Sequence, residues 1–205
     1  MSVKYASFGE MANNSFLLVD DKTNMSALID CPQFNQRMID LIGDTELKYI
    51  LLTHGHYDHI IGAKEVKEKY GAKIAISAED APMLTSARES LAIFSGAQQN
   101  SVEPDIIIDN CDKITLGETE ITVLKTPGHT KGSVCYMSGD SLFCGDTLFR
   151  LSCGRTDFPG GSWDEMTRSL KKISELDGDM KIYTGHDQNS SLDFEKRNNP
   201  YLKNL

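Results

Sequence analysis

Short apolar segments typical of β-strands alternate with helical patterns in the first half of the chain. Residues 15–19 and 25–29 flank a run of turn-forming residues and predict a β-hairpin. A short helix that begins at Pro32 and ends before Gly43 follows, and then a strand at 48–52. The next elements are a helix at 60–70, a strand at 73–77, and one or two short helices in 78–100 that form a flap or side wall. The strand, helix and strand between 48 and 77 predict a βαβ unit.

The second half opens with short β segments separated by glycine-containing turns, which predict a meander. These segments lie at 106–108, 112–116, 120–124, 133–137 and 141–144. A helix at 163–176, a strand at 181–183 and a helix at 193–198 complete the pattern. Two halves that each combine strands with flanking helices predict two sheets packed face to face with helices outside. The length fits one domain, residues 1–205.

Three histidines and an aspartate lie within six residues directly after the strand at 48–52. His54 and His56 are two residues apart, so in an extended segment they project to the same side and can hold one ion. If a helix begins at Asp58, the side chains of Asp58 and His59 point toward a second position. The ordinary alternative is structural histidines with Asp58 as a helix N-cap. Four such residues in one loop favour a metal site with room for two ions.

The other two histidines, His129 and His186, each follow a β segment and a glycine, as does Asp146. Taken alone, each histidine is more often structural and Asp146 is more often a turn or helix cap. The cluster at His54 reverses that preference. A pair of metal ions benefits from an anionic bridge, so Asp146 is the candidate bridging ligand.

The composition narrows the class of protein further. A formal net charge of −9 and a pI near 5.0 argue against a nucleic-acid partner and favour a small-molecule substrate. The five cysteines are widely spaced without a CxxC pair, which indicates reduced thiols. The N-terminus lacks a secretory pattern and no apolar stretch approaches the roughly 20 residues that span a bilayer, so we expect a soluble cytoplasmic protein with no membrane partner. The oligomeric state stays open between monomer and homodimer.

The complete ligand pattern resembles the metallo-β-lactamase-fold superfamily. It consists of His54-x-His56-x-Asp58-His59, Gly128-His129, Gly145-Asp146 and Gly185-His186. More narrowly, residues 126–133, residues 154–159 and the terminal Glu195-x-x-Asn198-x-Pro200-Tyr201 look like short, single-domain members related to glyoxalase II. The resemblance implies an α/β fold, a four-layer αββα sandwich of two mixed sheets with outer helices and a site at one edge.

The resemblance also implies a set of metal ligands. It assigns one metal to His54, His56 and His129, a second metal to Asp58, His59 and His186, and the bridging position to Asp146. Two divalent ions are implied, with zinc first and iron or manganese as alternatives. The chain departs from larger glyoxalase II enzymes by ending soon after Pro200, without their C-terminal helical region for glutathione. It also has Asp187-Gln188 where many relatives carry Gly-Pro. These departures leave the acyl group and the thiol carrier open.

The predicted activity is hydrolysis of a thioester, of hydroxyacylglutathione or another acyl-thiol, by a hydroxide held between two metal ions. Asp58 is predicted to orient this nucleophile in addition to binding metal. One alternative is a persulfide dioxygenase-like enzyme with a single iron held by His54, His129 and Asp146, as the resemblance implies. A phosphodiesterase of the same fold is a second, disfavoured by the acidic balance, and a non-enzymatic metal-binding module is a third. Candidate pocket residues without an assigned catalytic role are Tyr57, Phe94, Arg150, Cys153, Arg155 and Asp157.

Overall fold

The first of two sheets is built mostly from the N-terminal half of the chain. The computed structural model describes residues 1–203 and 205, and in this part of the chain the strands form two six-stranded sheets and one two-stranded hairpin. In spatial order the first sheet contains β1 (Ser2–Phe8), β2 (Asn13–Val19), β3 (Met25–Ile29), β4 (Glu46–Leu51), β5 (Lys73–Ser77) and β6 (Ile106–Ile108). Strands β1 to β3 pair antiparallel and β3 to β6 pair parallel. The predicted hairpin and βαβ unit are thus confirmed.

The second sheet comes from the C-terminal half. Its spatial order is β14 (Ser190–Ser191), β13 (Lys181–Thr184), β10 (Ser141–Gly145), β9 (Val134–Ser138), β8 (Thr119–Lys125) and β7 (Lys113–Leu116). Strand β13 is parallel to β10, whereas the remaining neighbours pair antiparallel. The small hairpin consists of β11 (Leu148–Phe149) and β12 (Ser152–Cys153).

The helices lie outside the sheets or at their edge. They are α1 (Gln36–Ile42), α2 (Tyr57–Ile60), α3 (Ala63–Tyr70), α4 (Ala92–Ser95), α5 (Trp163–Ser174) and α6 (Leu192–Asn198), with a 3₁₀ turn at Ala81–Leu84. Among the described residues, none of these helices has the length and apolar character needed to cross a membrane.

Side chains of β2 show how the layers are held together. Phe16 and Leu18 pack between the sheets, in a cluster that includes Val123 and Phe143 of the second sheet. Leu17 points the other way, into a cluster with the buried faces of α1 and α3. Strand β2 is therefore buried on both faces, which explains its continuous apolar run.

A third cluster completes the layers on the far side of the second sheet. There Leu142 and Ile182 pack under Met166 and Leu170 of α5. Apolar clusters thus fill all three spaces between four layers, and the predicted αββα sandwich of two mixed sheets is confirmed.

Two helix boundaries differ from the sequence prediction. The first helix begins at Gln36 rather than Pro32, because the side chain of Asn35 caps it by accepting a bond from the backbone N–H of Met38 at 3.2 Å. The helix predicted at 60–70 is divided into α2 and α3. The break is at Gly62, where a Cβ would lie 2.5 Å from the backbone of Gln33.

Strand β1 was missed altogether. It is an edge strand of the first sheet, and most of its residues are exposed or half-buried. Its sequence therefore lacks the apolar density that marks the inner strands.

Candidate metal centre

Strands β8, β10 and β13 each lead into a loop that carries a predicted ligand. The three strands run in the same direction, because β9 is antiparallel to both β8 and β10 and β13 is parallel to β10. The loops with His129, Asp146 and His186 therefore leave the second sheet at one edge. The loop after β4 meets them there, since the backbone N–H of Val134 donates to the carbonyl of Thr53 at 2.9 Å.

The structure brings all seven predicted ligands together at this edge. Ligand atoms of His54, His56 and His129 lie within 4.8 Å of one another, and all three residues are buried. A second set with the same spacing consists of Asp58, His59 and His186. Helix α2 begins at Tyr57, so Asp58 and His59 occupy its first turn as expected.

Asp146 lies between these two sets. Its Oδ1 is 3.4 Å from Nε2 of His59, and its Oδ2 is 3.5 Å from Nε2 of both His129 and His186. One carboxylate thus faces ligands of both sets, which is the position that a bridging ligand requires.

The outer nitrogens of three histidines are fixed by acceptors. Nδ1 of His59 donates to the Asp30 carboxylate at 2.9 Å, Nδ1 of His129 to the Arg155 carbonyl at 2.8 Å, and Nδ1 of His186 to the Met11 carbonyl at 2.8 Å. Carbonyl and carboxylate oxygens only accept, so Nδ1 carries the proton in each case. In the neutral ring Nε2 then presents a lone pair to the centre of the site, as a metal ligand must.

Several buried polar atoms of the site lack a partner. Nε2 of His54, Nε2 of His56 and Oδ1 of Asp146 have no hydrogen bond among the described residues. Nδ1 of His56 lies 2.8 Å from Nε2 of His129. Because the proton of His129 is on Nδ1, its Nε2 carries only a lone pair. Such atoms are costly to bury unless something satisfies them, and metal ions would do so. The residues present therefore fit metal ions.

Burial and neighbouring charge set the protonation of the ligands. Burial, with the nearby His59 and His129, holds the pKa of His54 well below its ordinary value, and burial with the nearby His129 lowers the pKa of His56 to about 3. Burial opposes the charge on His59, but the Asp146 and Asp30 carboxylates outweigh it and raise its pKa well above the ordinary value. Burial likewise opposes the charge on Asp146, but His59 keeps the pKa of that carboxyl well below its ordinary value. His54 and His56 are thus neutral near pH 7, which is the form that binds metal.

Five of the seven predicted ligands line a mainly apolar cavity of about 720 Å³, namely His56, Asp58, His129, Asp146 and His186. Its remaining lining residues are Met11, Tyr57, Leu91, Phe94, Ser95, Phe149, Ser152, Cys153, Arg155, Phe158 and Pro159. Of the predicted pocket residues, Tyr57, Phe94, Cys153 and Arg155 line this cavity. In the described part of the chain Arg150 and Asp157 do not: Arg150 bonds Gln188, and Asp157 binds the Arg155 guanidinium.

A family model for the metallo-beta-lactamase superfamily matches residues 8–186. The chain belongs to the metallo-β-lactamase superfamily. Members of this superfamily are generally hydrolytic enzymes, so the protein is a hydrolase of this fold with a histidine-rich candidate metal site.

Relatives of the chain include two proteins named hydroxyacylglutathione hydrolase. A hydroxyacylglutathione hydrolase of Pelagibacter ubique is 37% identical over 187 residues, which cover 88% of this chain and 70% of the relative. The hydroxyacylglutathione hydrolase GloC of Haemophilus influenzae is 32% identical over 209 residues, with 98% of each chain covered.

Three solved structures of the superfamily share the fold. The BLEG-1 B3 metallo-β-lactamase is 27% identical with a TM-score of 0.91, over 98% of this chain and 99% of that one. ETHE1 from Myxococcus xanthus is 29% identical with a TM-score of 0.81, and the match covers 98% of this chain and 84% of that one. TTHA1623 in a di-iron-bound form is 27% identical with a TM-score of 0.87, and the match covers 97% of this chain and 100% of that one.

Asp30 supports the centre of this metallo-β-lactamase fold and was missed in the sequence. It follows β3 and is 2% exposed. Its Oδ1 accepts from the backbone N–H of Thr53 and its Oδ2 from the Thr53 hydroxyl, both at 2.8 Å, while Oδ2 also accepts from His59. An acidic residue directly after an apolar strand is the available signal, but Asp30 lacks the preceding glycine that accompanies Asp146 in the sequence.

Asp80 is a second buried carboxylate outside the predicted set. It accepts from the backbone N–H of Gly55 at 3.0 Å, from that of Gly132 at 2.9 Å and from the Thr130 hydroxyl at 2.6 Å. It thereby joins the loop of the first histidines to the loop that carries His129. Burial raises the pKa of Asp80 although these bonds favour its charged form.

The C-terminal motif holds one wall of the cavity. Asn199 donates from Nδ2 to the carbonyl of Ser152 at 2.9 Å, and Glu195 accepts from the backbone N–H of Leu151 at 2.8 Å. These bonds fix the β11–β12 hairpin, which contributes Phe149, Ser152 and Cys153 to the cavity. The anchoring amide is that of Asn199. The motif residue Asn198 only bonds back within its own helix.

Proposed function

We propose that the protein is a metal-dependent thioester hydrolase, similar to hydroxyacylglutathione hydrolases, acting on an acyl-thiol. The observation that carries the proposal is the placement of Asp146 between two converging ligand sets in the lining of a mainly apolar cavity. The two relatives named hydroxyacylglutathione hydrolase support it. A cavity of this size suits a small-molecule substrate, and we propose neither a nucleic-acid nor a membrane partner.

The proposed ligand assignment follows the two sets. His54, His56 and His129 would hold one ion, Asp58, His59 and His186 the other, and Asp146 would bridge them. Imidazole and carboxylate ligands suit zinc, iron and manganese, so availability decides among them. We propose zinc first, and the di-iron form of TTHA1623 makes iron the alternative to test.

When bound, two divalent ions would lower the pKa of a coordinated water toward neutrality and polarise the substrate carbonyl. The chain contributes orientation. Asp58 lines the cavity, and Nδ2 of Asn13 donates to its Oδ2 at 2.9 Å, which holds the carboxylate where it can accept a bond from the attacking water. We propose this orienting role for Asp58 in addition to metal binding.

Departure of the thiol needs little help from the protein. A thiolate is a stable anion near neutral pH, so it leaves without a proton donor in its path. Cys153 lines the cavity, but burial raises the pKa of its thiol to about 11. Cys153 therefore stays protonated near pH 7 and does not compete with water as a nucleophile.

The direct test is hydrolysis of thioesters by protein whose metals have been counted. We expect two ions per chain and cleavage of S-lactoylglutathione or of an acyl thioester of N-acetylcysteamine. Metal-loaded protein that cleaves neither thioester would refute the proposal.

A dioxygenase is the second candidate because the ETHE1 structure is 29% identical to the chain. In that alternative a single iron would be held by His54, His129 and Asp146, and His186 would have no ligand role. The variant His186→Ala separates the two. It should lose the second ion and most thioester hydrolysis if the site is dinuclear. Oxygen uptake on glutathione persulfide that survives this substitution, without thioester cleavage by the unmodified protein, would favour the dioxygenase.

A further inference from the structure

A second cavity adjoins the one that contains the metal ligands. It has a volume of about 490 Å³, and Met11, Tyr57 and Asp58 line both. The hydroxyl of Tyr57 lies 4.0 Å from Sδ of Met11, so these two side chains form the partition. A substrate bound at the metal site can therefore extend to either side of Asp58.

Apart from the proposed metal ions, the side chains that line the two cavities offer little positive charge to such a substrate. Among the described residues that line them, Arg155 is the one lysine or arginine. The charged lining residues of the second cavity are Glu10 and Asp58, both acidic. Away from the metal ligands, the walls of the first cavity are mainly apolar, with Phe94, Phe149 and Phe158 among them.

The guanidinium of Arg155 is already occupied. Its Nε donates to Oδ1 of Asp157 and its Nη2 to Oδ2, each at 2.7 Å. It also lies over the ring of Phe158, with 3.9 Å between the guanidinium carbon and the ring centroid. This bidentate pairing uses two of the five guanidinium N–H donors and places a carboxylate beside the positive charge, so a substrate carboxylate at Arg155 would also face Asp157.

We infer that these cavities select thioesters that carry no carboxylate group. This inference rests on the proposed thioester hydrolysis and narrows its substrate class to acyl-thiols that are uncharged on both sides of the thioester bond or carry only an amine. A carboxylate that lies in either cavity away from the proposed metal ions would lose water without gaining an unpaired cationic side chain from the described residues, and in the second cavity it would face Glu10. An uncharged chain would gain contact with the phenylalanine walls instead.

Binding of a matched pair of non-hydrolysable ligands tests the inference. S-hexylglutathione and its diethyl ester share one skeleton, and the ester carries an uncharged ethyl ester group in place of each carboxylate. Calorimetric titration of the metal-loaded protein should give a dissociation constant about tenfold lower for the diester. Equal binding, or tighter binding of the free acid, would overturn the inference.

Two variants at the rim sharpen the test. Asp157→Asn frees the guanidinium, so it should improve binding of the free acid relative to the diester by roughly two- to fivefold. The double variant Arg155→Gln with Asp157→Asn removes both charges of the pair and should leave the ratio within about twofold of the wild type. A selective loss of free-acid binding in this double variant would show that Arg155 does receive a carboxylate and would refute the inference. Asp177→Asn makes the same charge change at an exposed position outside both cavities and serves as the control.

Hydrolysis of the corresponding S-lactoyl pair separates this inference from the proposed function. Cleavage of both thioesters with a preference for the free acid would refute the inference but support the proposed thioester hydrolysis. Cleavage of neither would refute the proposed function. The ratio of the two dissociation constants would still show whether the cavities select against carboxylates.

Discussion

At the scale of single residues, the centre depends on atoms that never touch the proposed ions. Asp30 is the clearest case, because one carboxylate holds both the Thr53 backbone and the His59 ring. Partners of this kind orient a ligand histidine and increase its basicity. They lie on other strands and loops, so no local spacing in the sequence reveals them.

We expect Asp30→Ala to weaken metal binding by about 10- to 100-fold, since His59 loses its acceptor and Thr53 loses both of its bonds to Asp30. Competition with a chelator measures the affinity, with circular dichroism as a check on folding. Asp44→Ala, at an exposed position, is the matched control. Unchanged affinity in a folded Asp30→Ala protein would contradict this prediction.

Gly154 is a second position where one atom matters. A Cβ there would lie 1.8 Å from the carbonyl oxygen of Asp146 and 3.4 Å from Nδ1 of His129. We expect Gly154→Ala to displace both loops, to lower the free energy of unfolding by about 1–3 kcal/mol and to reduce the metal content. Urea unfolding and metal analysis are the measurements.

Gly71→Ala provides the comparison for that variant. Gly71 has a left-handed backbone conformation, with φ of +69°, but a Cβ there meets nothing within 4 Å. The substitution should cost about 1 kcal/mol of backbone strain and leave the metal content unchanged. Equal loss of metal in both variants would show that the close approach at Gly154 has no specific role.

At the scale of elements, the sequence predicts the inner strands and the ligand loops well, and it predicts the boundaries set by distant contacts poorly. The runs in β2 to β5 are readable because both faces of each strand are buried. The break between α2 and α3 is set by the backbone at Gln33, and the β11–β12 hairpin is held by the side chain of Asn199. Such boundaries depend on partners far away in the chain, which a periodic pattern does not encode.

Asp20 connects elements of the two sheets. It lies in the turn after β2, and its carboxylate accepts from the Thr23 hydroxyl and from the Thr119 hydroxyl at the start of β8, each at 2.8 Å. These bonds, with that of Thr119 the strongest, hold the pKa of Asp20 well below its ordinary value of 3.8. The bonds therefore stabilise the fold above pH 3.8, and this contribution is lost as the pH falls below that value.

The substitution Asp20→Asn should consequently lower the free energy of unfolding near neutral pH. The difference from the wild type should shrink as the pH falls below 3.8, because the Asp20 carboxyl of the unfolded wild-type chain then takes up a proton that the folded protein does not yet bind. Denaturant unfolding of both proteins across this pH range is the measurement. A difference that stays constant, or that grows in acid, would exclude the linkage.

At the scale of the whole molecule, the candidate metal centre lies where loops from the two sheets meet. His54 follows β4 of the first sheet, whereas His129 and His186 follow β8 and β13 of the second. Ions bound at this edge would therefore hold the two sheets together in addition to their chemical role.

Removal of metal should lower the melting temperature, and added zinc should restore it. Binding to the folded state alone stabilises it by about 2.7 kcal/mol when free metal is at 100 times its dissociation constant. A thermal scan in chelator and in excess zinc measures the shift, and His186→Ala should show a smaller one. A melting temperature that does not respond to zinc would contradict the proposed ligand set.

The spread of ligands over the chain has a consequence for the order of events during biosynthesis. The first four residues of the site, within 54–59, leave the ribosome well before His129, Asp146 and His186. Strand β13 must also pair with β10 before His186 can reach its neighbours. An ion captured by the nascent chain would thus bind to an incomplete set of donors, and full loading has to wait until the second sheet has formed.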